Sequence, residues 1–529
     1  MRRGGDLGIG SWPARRARIA PERTVLVHGE QSWTYADLYE RTERLARALR
    51  GLGVGPGDRV AYLGVNHPAL LETLFAVGRL GAIFVPLNTR LAPVEIAYML
   101  GDSGCCVLVH GAEMDSVAWG SVTEVPAVRH VVTVGSASND ELEYERLLAD
   151  GGDGEPVEQD VSLEDTSMII YTSGTTGLPK GAMITHGNLT WNTMNQLAHV
   201  DILSSDVALG VAPWFHTAGL NQVTMPTLFK GGQIVVAPKF DPGELLATVE
   251  RMRITSFSAV PTMLKMIVEH PDWESTDVSS LRHVLYGGSP AVEWVARAWV
   301  DRGVPILQGY GLSETSPGIV MATAAGAAER PVSAGVPHFF TDVAVLGDSG
   351  PEPAPGASGE MVVRGPNVFT GYWQRTEETD SSFVSGDWFR TGDVVQVDDE
   401  GWTYVVDRIK DIFISGGENI YPAEVEAVLY THPSVQSCAV VGVPDNRWGE
   451  VGLAFVVVRE GAELTEDEAT QHVRGRLAHY KVPKYVRFVD SIPTNATGKI
   501  RRVELRELAG ELDLGQDQQS EPATSRGRS

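Results

Sequence analysis

Eleven consecutive residues, Tyr171-Thr-Ser-Gly-Thr-Thr-Gly-Leu-Pro-Lys-Gly181, hold three glycines, four hydroxyl residues besides the tyrosine, and one lysine. Accessible backbone N–H groups, hydroxyl donors and one cation together make a cradle for polyphosphate oxygens. The apolar run Ser167-Met-Ile-Ile170 feeds into it as a strand would. The stretch is not a Walker A loop. That pattern needs a lysine preceded by its second glycine and followed by Ser or Thr. Here Lys180 follows Gly174 at the right distance, but Pro179 precedes it and Gly181 follows it. Taken alone, such a cluster reads at least as readily as a solvated turn.

Other stretches carry chemistry at the ends of apolar runs. Val207 to Val211 ends at Ala212-Pro-Trp-Phe-His-Thr-Ala-Gly219. Leu281 to Tyr286 ends at Gly287-Gly-Ser-Pro290, and Val304 to Gln308 ends at Gly309-Tyr-Gly-Leu-Ser-Glu-Thr315. Each is a predicted strand running into a glycine turn with one polar or aromatic residue. In doubly wound sheets ligands bind at the carboxyl ends of strands. Further along lie Trp388-Phe-Arg-Thr-Gly-Asp393, Asp407-Arg-Ile-Lys-Asp411, Ser415-Gly-Gly-Glu-Asn419 and Pro493-Thr-Asn-Ala-Thr-Gly-Lys-Ile500. Individually these read as a β-turn aspartate, a solvated charge run and exposed glycine turns.

The elements that must position these residues follow a strand–helix–strand rhythm. Thr34 is the predicted N-cap of a helix through Leu49, and Val60 to Leu63 is a strand. A helix from Pro68 to Leu80 leads to a strand from Ile83 to Pro86. Residues 111 to 160 are loop-rich and acidic and read as a linker. Strands are predicted from Gly232 to Val236 and Ser256 to Val260, with a helix from Pro242 to Met252. This alternation implies a parallel sheet covered by helices. From Ser333 short strands dominate (Val343 to Leu346, Glu360 to Arg364, Val394 to Val397, Trp402 to Val406) and suggest a β-rich subdomain. A compact α/β pattern follows: helices Pro422 to Thr431 and Glu466 to Leu477, with strands Cys438 to Val441, Ala454 to Val458 and Tyr485 to Val489. The tail is Gln/Ser/Pro-rich and reads as disordered.

A chain of 529 residues exceeds one core and implies several domains. The net charge of −25 argues against a nucleic-acid partner held by phosphate neutralisation. Cys105 and Cys106 are adjacent and Cys438 is remote, so neither a disulfide framework nor a zinc site is suggested. Arg-rich residues near the start are not followed by an apolar signal-peptide core. No apolar run reaches membrane-spanning length, since Ala76 to Leu87 is broken by Arg79. A cytoplasmic globular protein is expected.

With the glycine loop, the Gln308-to-Thr315 stretch and the Trp388-to-Asp393 stretch together, the chain resembles the adenylate-forming acyl- and aryl-CoA synthetases from about Trp33 to Arg506. That superfamily includes peptide-synthetase adenylation domains and beetle luciferase. Within it the chain looks closest to bacterial fatty-acyl and hydroxycinnamoyl (feruloyl or coumaroyl) CoA ligases. The resemblance implies an α/β fold: a large N-terminal AMP-binding domain (1–409) of doubly covered mixed sheets plus a small β-rich subdomain. A hinge at residue 410 would join it to a small mobile α+β C-terminal domain (411–510), followed by a tail (511–529). The implied reaction adenylates a fatty or aromatic acid with ATP and Mg²⁺, releasing pyrophosphate, and passes the acyl group to coenzyme A.

The resemblance also implies the site. Thr172, Ser173, Gly174, Thr175, Thr176 and Lys180 would hold the β- and γ-phosphates, Tyr310 would stack on adenine, Ser313 would touch the α-phosphate, and Glu314 would hold Mg²⁺. The family usually has Thr at the place of Ser313; the hydroxyl is kept. Gly288, Ser289, Pro290, Gln308, Gly309 and Gly311 complete the nucleotide site. Asp393 would take both ribose hydroxyls, because one carboxylate accepts two hydrogen bonds from a diol. Arg408 would reach the ribose or phosphate, and Lys410 would be the hinge. Lys499 would drive adenylation, with His216, Thr172 and Glu314 as the other catalytic residues. Ser415, Gly416, Gly417 and Glu418 would meet coenzyme A in a second pose, where glycines leave room for the pantetheine arm.

Trp214, His216, Thr217, Ala218, Gly219, Tyr286, Gly287 and Gly309 would line the acid pocket. No Asp stands near His216 to pair a substrate ammonium, which disfavours amino acids. No Lys or Arg is evident for a second carboxylate, which disfavours diacids. Transfer to a carrier protein, or luciferase-like oxygenation, shares the first half-reaction and is the alternative. A non-catalytic nucleotide binder is disfavoured by Lys180, Glu314, Asp393 and Lys499 together. The resemblance leaves a homodimer open.

Overall fold

Long apolar strands flanked by capped helices build the molecule. The structure is a computed structural model that describes residues 6–136, 142–172, 178–288, 293–330, 333–408, 411–415, 418–445, 448–477, 479–494 and 500–511. Contacts divide the chain into two compact units, Met1–Thr391 with Val395–Val405, and Gly392–Val394 with Val406–Ser529.

The first unit contains two large sheets with parallel interiors and antiparallel edges, except that Leu142–Glu143 ends the second sheet in parallel with His130–Val134. One runs in the order Val336–Pro337, Gly318–Met321, Ile306–Gly311, His283–Tyr286, Ser256–Ala259, Val207–Gly210, Gln233–Val236, Thr24–His28, Gln31–Thr34. The other runs Gly371–Tyr372, Lys180–Thr185, Thr166–Thr172, Ile83–Leu87, Arg59–Leu63, Val107–Gly111, His130–Val134, Leu142–Glu143. Ile83–Leu87 is buried at every position, as a strand covered on both faces must be. Helix Tyr35–Gly51 starts at the predicted cap: Thr34 Oγ1 accepts from the Asp37 N–H at 3.1 Å, and Asp37 accepts from the Thr34 N–H at 2.8 Å. Helix Pro68–Arg79 is buried almost all round. A smaller sheet orders Gly350–Pro353, Asp342–Gly347, Ser358–Arg364, Trp388–Val397 and Phe383–Val384, which is the predicted β-rich part.

Residues 111–160 are not a linker. Val107–Gly111, His130–Val134 and Leu142–Glu143 extend the second sheet, and helices Asp115–Val122 and Tyr144–Asp150 cover it. Short elements separated by Gly and acidic residues carry too little periodicity to be seen. The whole helix His186–His199 also escaped the sequence reading.

In the second unit, a long antiparallel pair, Val435–Asp445 with Gly449–Val458, takes Tyr485–Phe488 alongside in parallel. Helices Pro422–Tyr430, Glu466–Arg474 and Arg502–Glu511 accompany them. Glu426 is buried but bonded, accepting from Arg502 at 2.6 Å and from the Val440 N–H at 2.7 Å. All three cysteines are free and buried.

Candidate active site

The glycine loop is the connection of a hairpin. Thr166–Thr172 pairs antiparallel with Lys180–Thr185, and Thr172 stands opposite Lys180. The pairing therefore brings the first hydroxyl and the lysine to the loop's two ends. Ser173, Gly174, Thr175 and Thr176 lie outside the described residues. Tyr171 points away from Thr172, as strand alternation requires. Its hydroxyl donates to Asp102 at 2.8 Å, and Arg375 pairs with the same carboxylate at 2.8 Å. Tyr98 donates to the Pro179 carbonyl at 3.3 Å. The helix Pro93–Ser103 thus ties down both ends of the loop.

Glu314 joins this hairpin from far along the chain. Its Oε1 accepts from Thr172 Oγ1 at 3.3 Å and from the Tyr372 hydroxyl at 3.0 Å. Lys180 Nζ lies 5.4 Å from the centroid of the Tyr372 ring, over its face. Burial first, and then the Glu314 carboxylate, push the Tyr372 ionisation up, so its hydroxyl keeps the proton it donates. Glu314 is 9% exposed. One cation, one carboxylate and two hydroxyls from three separate stretches therefore share one spot. Tyr372 was missed in the sequence; a Gly-Tyr-Trp triplet at 371–373 was its only signal.

The turn that presents Glu314 is held from inside. Thr315 Oγ1 accepts from the Leu312 N–H at 2.9 Å and bonds the Pro317 carbonyl at 2.7 Å. A Cβ at Gly311 would collide with that same carbonyl, so only glycine fits. Asn367 Nδ2 donates to the carbonyls of Thr315 at 3.0 Å and Gly318 at 2.7 Å. On helix His186–His199, Asn188, Asn192 and Asn195 share one face. Asn192 accepts from the Gly318 N–H at 3.2 Å and donates to the Asn221 carbonyl at 3.0 Å. Asn188 donates to Pro366 and Val368, each at 2.8 Å. These buried amides hold the π-helical stretch, the strand that starts at Gly318 and the loop at residues 366–368, and the sequence reading missed them; the Asn spacing was the available signal.

His216 is half-buried and begins a short helical turn, Thr217–Gly219, that continues as the π-helical stretch Leu220–Thr224. π-helical turns are rare and recur at functional sites. Asn66 sets the turn before it, accepting from the Trp214 N–H at 2.8 Å and donating to Gly210 at 3.0 Å and Ala212 at 2.9 Å. Trp214 is fully enclosed, against Gly210, and Thr217 and Gly219 are also buried, whereas Ala218 is exposed. Tyr286 is likewise enclosed and donates to Gln308 at 2.9 Å. A Cβ at Gly287 would lie 2.7 Å from the Gly309 carbonyl, so the two strand ends approach closely because Gly287 has no side chain. Gln222 Nε2 would lie 3.5 Å from a Cβ at Gly309. Gln222, unnoticed in the sequence, thus links the His216 stretch to these glycines. Gly288 has φ +93°. Tyr310, Gly311 and Ser313 are half-buried, with Tyr310 packed on the main core.

Apart from Ser289 and Pro290, the remaining candidates belong to the second unit. Asp393 is buried in the strand Trp388–Val397. Ser415 is buried and stands opposite Glu418 in the pair Phe413–Ser415 and Glu418–Ile420. Asp407 is no solvated charge: it accepts from the Ala423 N–H at 2.8 Å at the start of helix Pro422–Tyr430. Asp411 accepts from Arg506 at 3.3 Å. The backbone of Arg408 ends the strand Thr403–Arg408. Ser289, Pro290, Lys410, Gly416, Gly417 and Lys499, with the side chains of Arg408 and Glu418, lie outside what is described.

Among the described residues no three His, Cys, Asp or Glu side chains gather as a metal site. A lone carboxylate still fits Mg²⁺, which takes one or two carboxylates beside phosphate oxygens and waters. Glu314, beside Lys180 and Thr172, has that character.

Residues 13–373 match the family described as AMP-binding enzyme, and residues 424–499 match the AMP-binding enzyme C-terminal domain. The chain is 50% identical over 507 residues to a feruloyl-CoA synthase of an Amycolatopsis species, covering 95% of this chain and 99% of that one. Its fold is similar to that of an anthranilate CoA ligase in complex with anthranoyl-AMP (TM-score 0.87, 27% identity, 96% and 98% coverage). It is also similar to an o-succinylbenzoate coenzyme A synthetase from Bacillus subtilis in complex with ATP and magnesium ion (TM-score 0.84, 32% identity, 94% and 99% coverage).

Proposed function

The chain belongs to the AMP-binding enzyme family, and on that premise we propose that it is an aryl–CoA ligase whose natural substrate is an aromatic, hydroxycinnamate-like carboxylic acid. As an enzyme of this family it joins a carboxylic acid to coenzyme A at the expense of ATP, through an acyl adenylate. The observation that carries this reading is the meeting of Thr172, Lys180 and Glu314 at the ends of the loop hairpin. The aromatic preference is supported by the feruloyl-CoA synthase at 50% identity. The stretch Trp214 to Gly219 contains no Lys or Arg, which is in keeping with a monoacid.

In the first half-reaction a carboxylate oxygen attacks the α-phosphorus and the bond to the pyrophosphate oxygen breaks. Lys180 and Thr172 hold the departing β- and γ-phosphates, Ser313 donates to the α-phosphate, and Tyr310 stacks on adenine. Glu314 would hold Mg²⁺, which supplies charge neutralisation on the phosphate oxygens. Asp393 takes the ribose diol, and His216 sits beside the reacting carboxylate. In the second half-reaction the thiol sulfur of coenzyme A attacks the acyl carbon, its proton is lost, and AMP leaves. In this reading the region 411–510 presents first Lys499 and then the Ser415-to-Glu418 stretch, turning about Lys410.

A panel of aromatic and fatty acids, assayed for AMP with and without coenzyme A, tests the function. Hydroxycinnamates should give AMP and a thioester only when coenzyme A is added. AMP release with fatty acids alone would overturn the aromatic reading, and thioester formation only on a carrier protein would overturn coenzyme A as acceptor. Lys410→Pro, which fixes φ at the hinge, should spare pyrophosphate exchange and cut overall thioester formation by about tenfold or more; unchanged turnover would overturn the hinge. No described helix is long and apolar enough to cross a membrane. Use of ATP and coenzyme A places the enzyme, in this reading, in the cytoplasm, and a homodimer is its assembly alternative to a monomer, decided by light scattering.

A further inference from the structure

Lys180 and Glu314 carry opposite charges and approach the same tyrosine, yet neither takes part in an ion pair among the described residues. A direct pair would neutralise both, and a nucleotide would then have to break it. Tyr372 offers each charge the part of itself that suits it. The electron-rich ring face takes the ammonium, and the hydroxyl donates to the carboxylate.

The ring is rigidly placed. Tyr372 stands opposite Ala182 on the Lys180–Thr185 strand, and its N–H donates to Thr379 Oγ1 at 2.9 Å. The next residue, Trp373, donates through its backbone to the Gly181 carbonyl at 2.7 Å and through its indole to the Asp102 carbonyl at 3.2 Å. The Phe369 ring packs edge-on against Tyr372 at 4.9 Å, and the Phe369 N–H donates to the Glu314 carbonyl at 2.7 Å. The tyrosine, the lysine strand and the glutamate backbone therefore form one framework.

We propose that Tyr372 is a positioning residue for Mg·ATP: its ring holds the Lys180 ammonium for phosphate, and its hydroxyl holds the Glu314 carboxylate for the divalent cation. This rests on the ligase reading above and adds a residue to it. The two parts of the side chain can be removed separately. Tyr372→Phe deletes the hydroxyl and keeps the ring; Tyr372→Leu deletes both.

Binding of α,β-methylene ATP, which cannot release pyrophosphate, is measured by calorimetry on the full chain across a Mg²⁺ series, without any acid. Tyr372→Phe should raise the Mg²⁺ concentration for half-maximal binding about fivefold or more, the loss of one hydrogen bond to a charged group. At saturating Mg²⁺ its affinity should stay within about twofold of wild type, because the ring still faces the ammonium. Tyr372→Leu should also weaken binding at saturating Mg²⁺, by about fivefold. Both should convert synthetic acyl-AMP to thioester at wild-type rates, a step that needs neither triphosphate nor its metal. An unchanged or lowered Mg²⁺ requirement in Tyr372→Phe would overturn the proposal, as would an equal loss in the acyl-AMP step. If Tyr372→Leu does not fold, the Phe variant alone decides. Failure of the wild type to activate any acid would overturn the ligase reading while leaving the binding measurement interpretable.

Discussion

Lys499→Ala should abolish pyrophosphate release from ATP and acid, with a loss of about 100-fold or more, yet still convert pre-made acyl-AMP to thioester. Attack on the α-phosphorus gathers negative charge there, and a cation brought next to it stabilises the transition state more than the ground state. Thioester formation has no such charge on phosphorus. In the proposed mechanism the lysine is useful in one half-reaction and idle in the other. The two rates are measured separately, by pyrophosphate exchange and by thioester formation from synthetic acyl-AMP. Equal losses in both would show that Lys499 is needed for folding or for a common pose. Lys499→Arg keeps the charge on a bulkier, planar group and should recover only part of the exchange rate.

Glu314→Gln should lower adenylation by about 100-fold while leaving the fold intact, because in the proposed mechanism the carboxylate that would hold the metal is lost at the site of adenylyl transfer. The amide oxygen can still accept from Thr172 and Tyr372, so the geometry survives. What disappears is the charge. Stability should change little. Glu314 makes no ion pair among the described residues, so the neutral amide gives up no salt bridge, and its oxygen keeps both hydrogen bonds. The thermal midpoint should be no lower than that of the wild type. Excess Mg²⁺ should not restore the rate. A marked fall in midpoint, or full activity, would remove Glu314 from the metal-holding role.

The part of the site legible in the sequence consisted of side chains whose chemistry is local. A glycine–hydroxyl–lysine loop offers phosphate donors whatever surrounds it, and Thr34 can be read as a cap because its partner, Asp37, is three residues away. Helix Pro242–Met252 falls at its predicted bounds, since Pro at its first turn and an amphipathic period both announce it. Where the elements were short, as between residues 111 and 160, the same reasoning saw only a linker. Helix His186–His199 was hidden differently: its buried face carries asparagines that bond the backbones of neighbouring segments, so it lacks the apolar stripe that reveals a helix. Trp214 and Tyr286, which the resemblance puts in the acid pocket, are both enclosed, a burial that the sequence did not show.

By itself the sequence determined the order of the motifs and the donors and cations available for a nucleotide, because these depend on residue type and short spacing; the reaction class came from the family resemblance those motifs carry. Only the tertiary structure decided which of them meet. Glu314 reaches Thr172 across 142 residues, and Tyr372 reaches Glu314 across 58. Periodicity and capping act over a few neighbours, and nothing in them encodes which strand end will lie beside which. That choice is made by sheet pairing and burial, which set Tyr372 beside the lysine strand and so place one ring between two opposite charges.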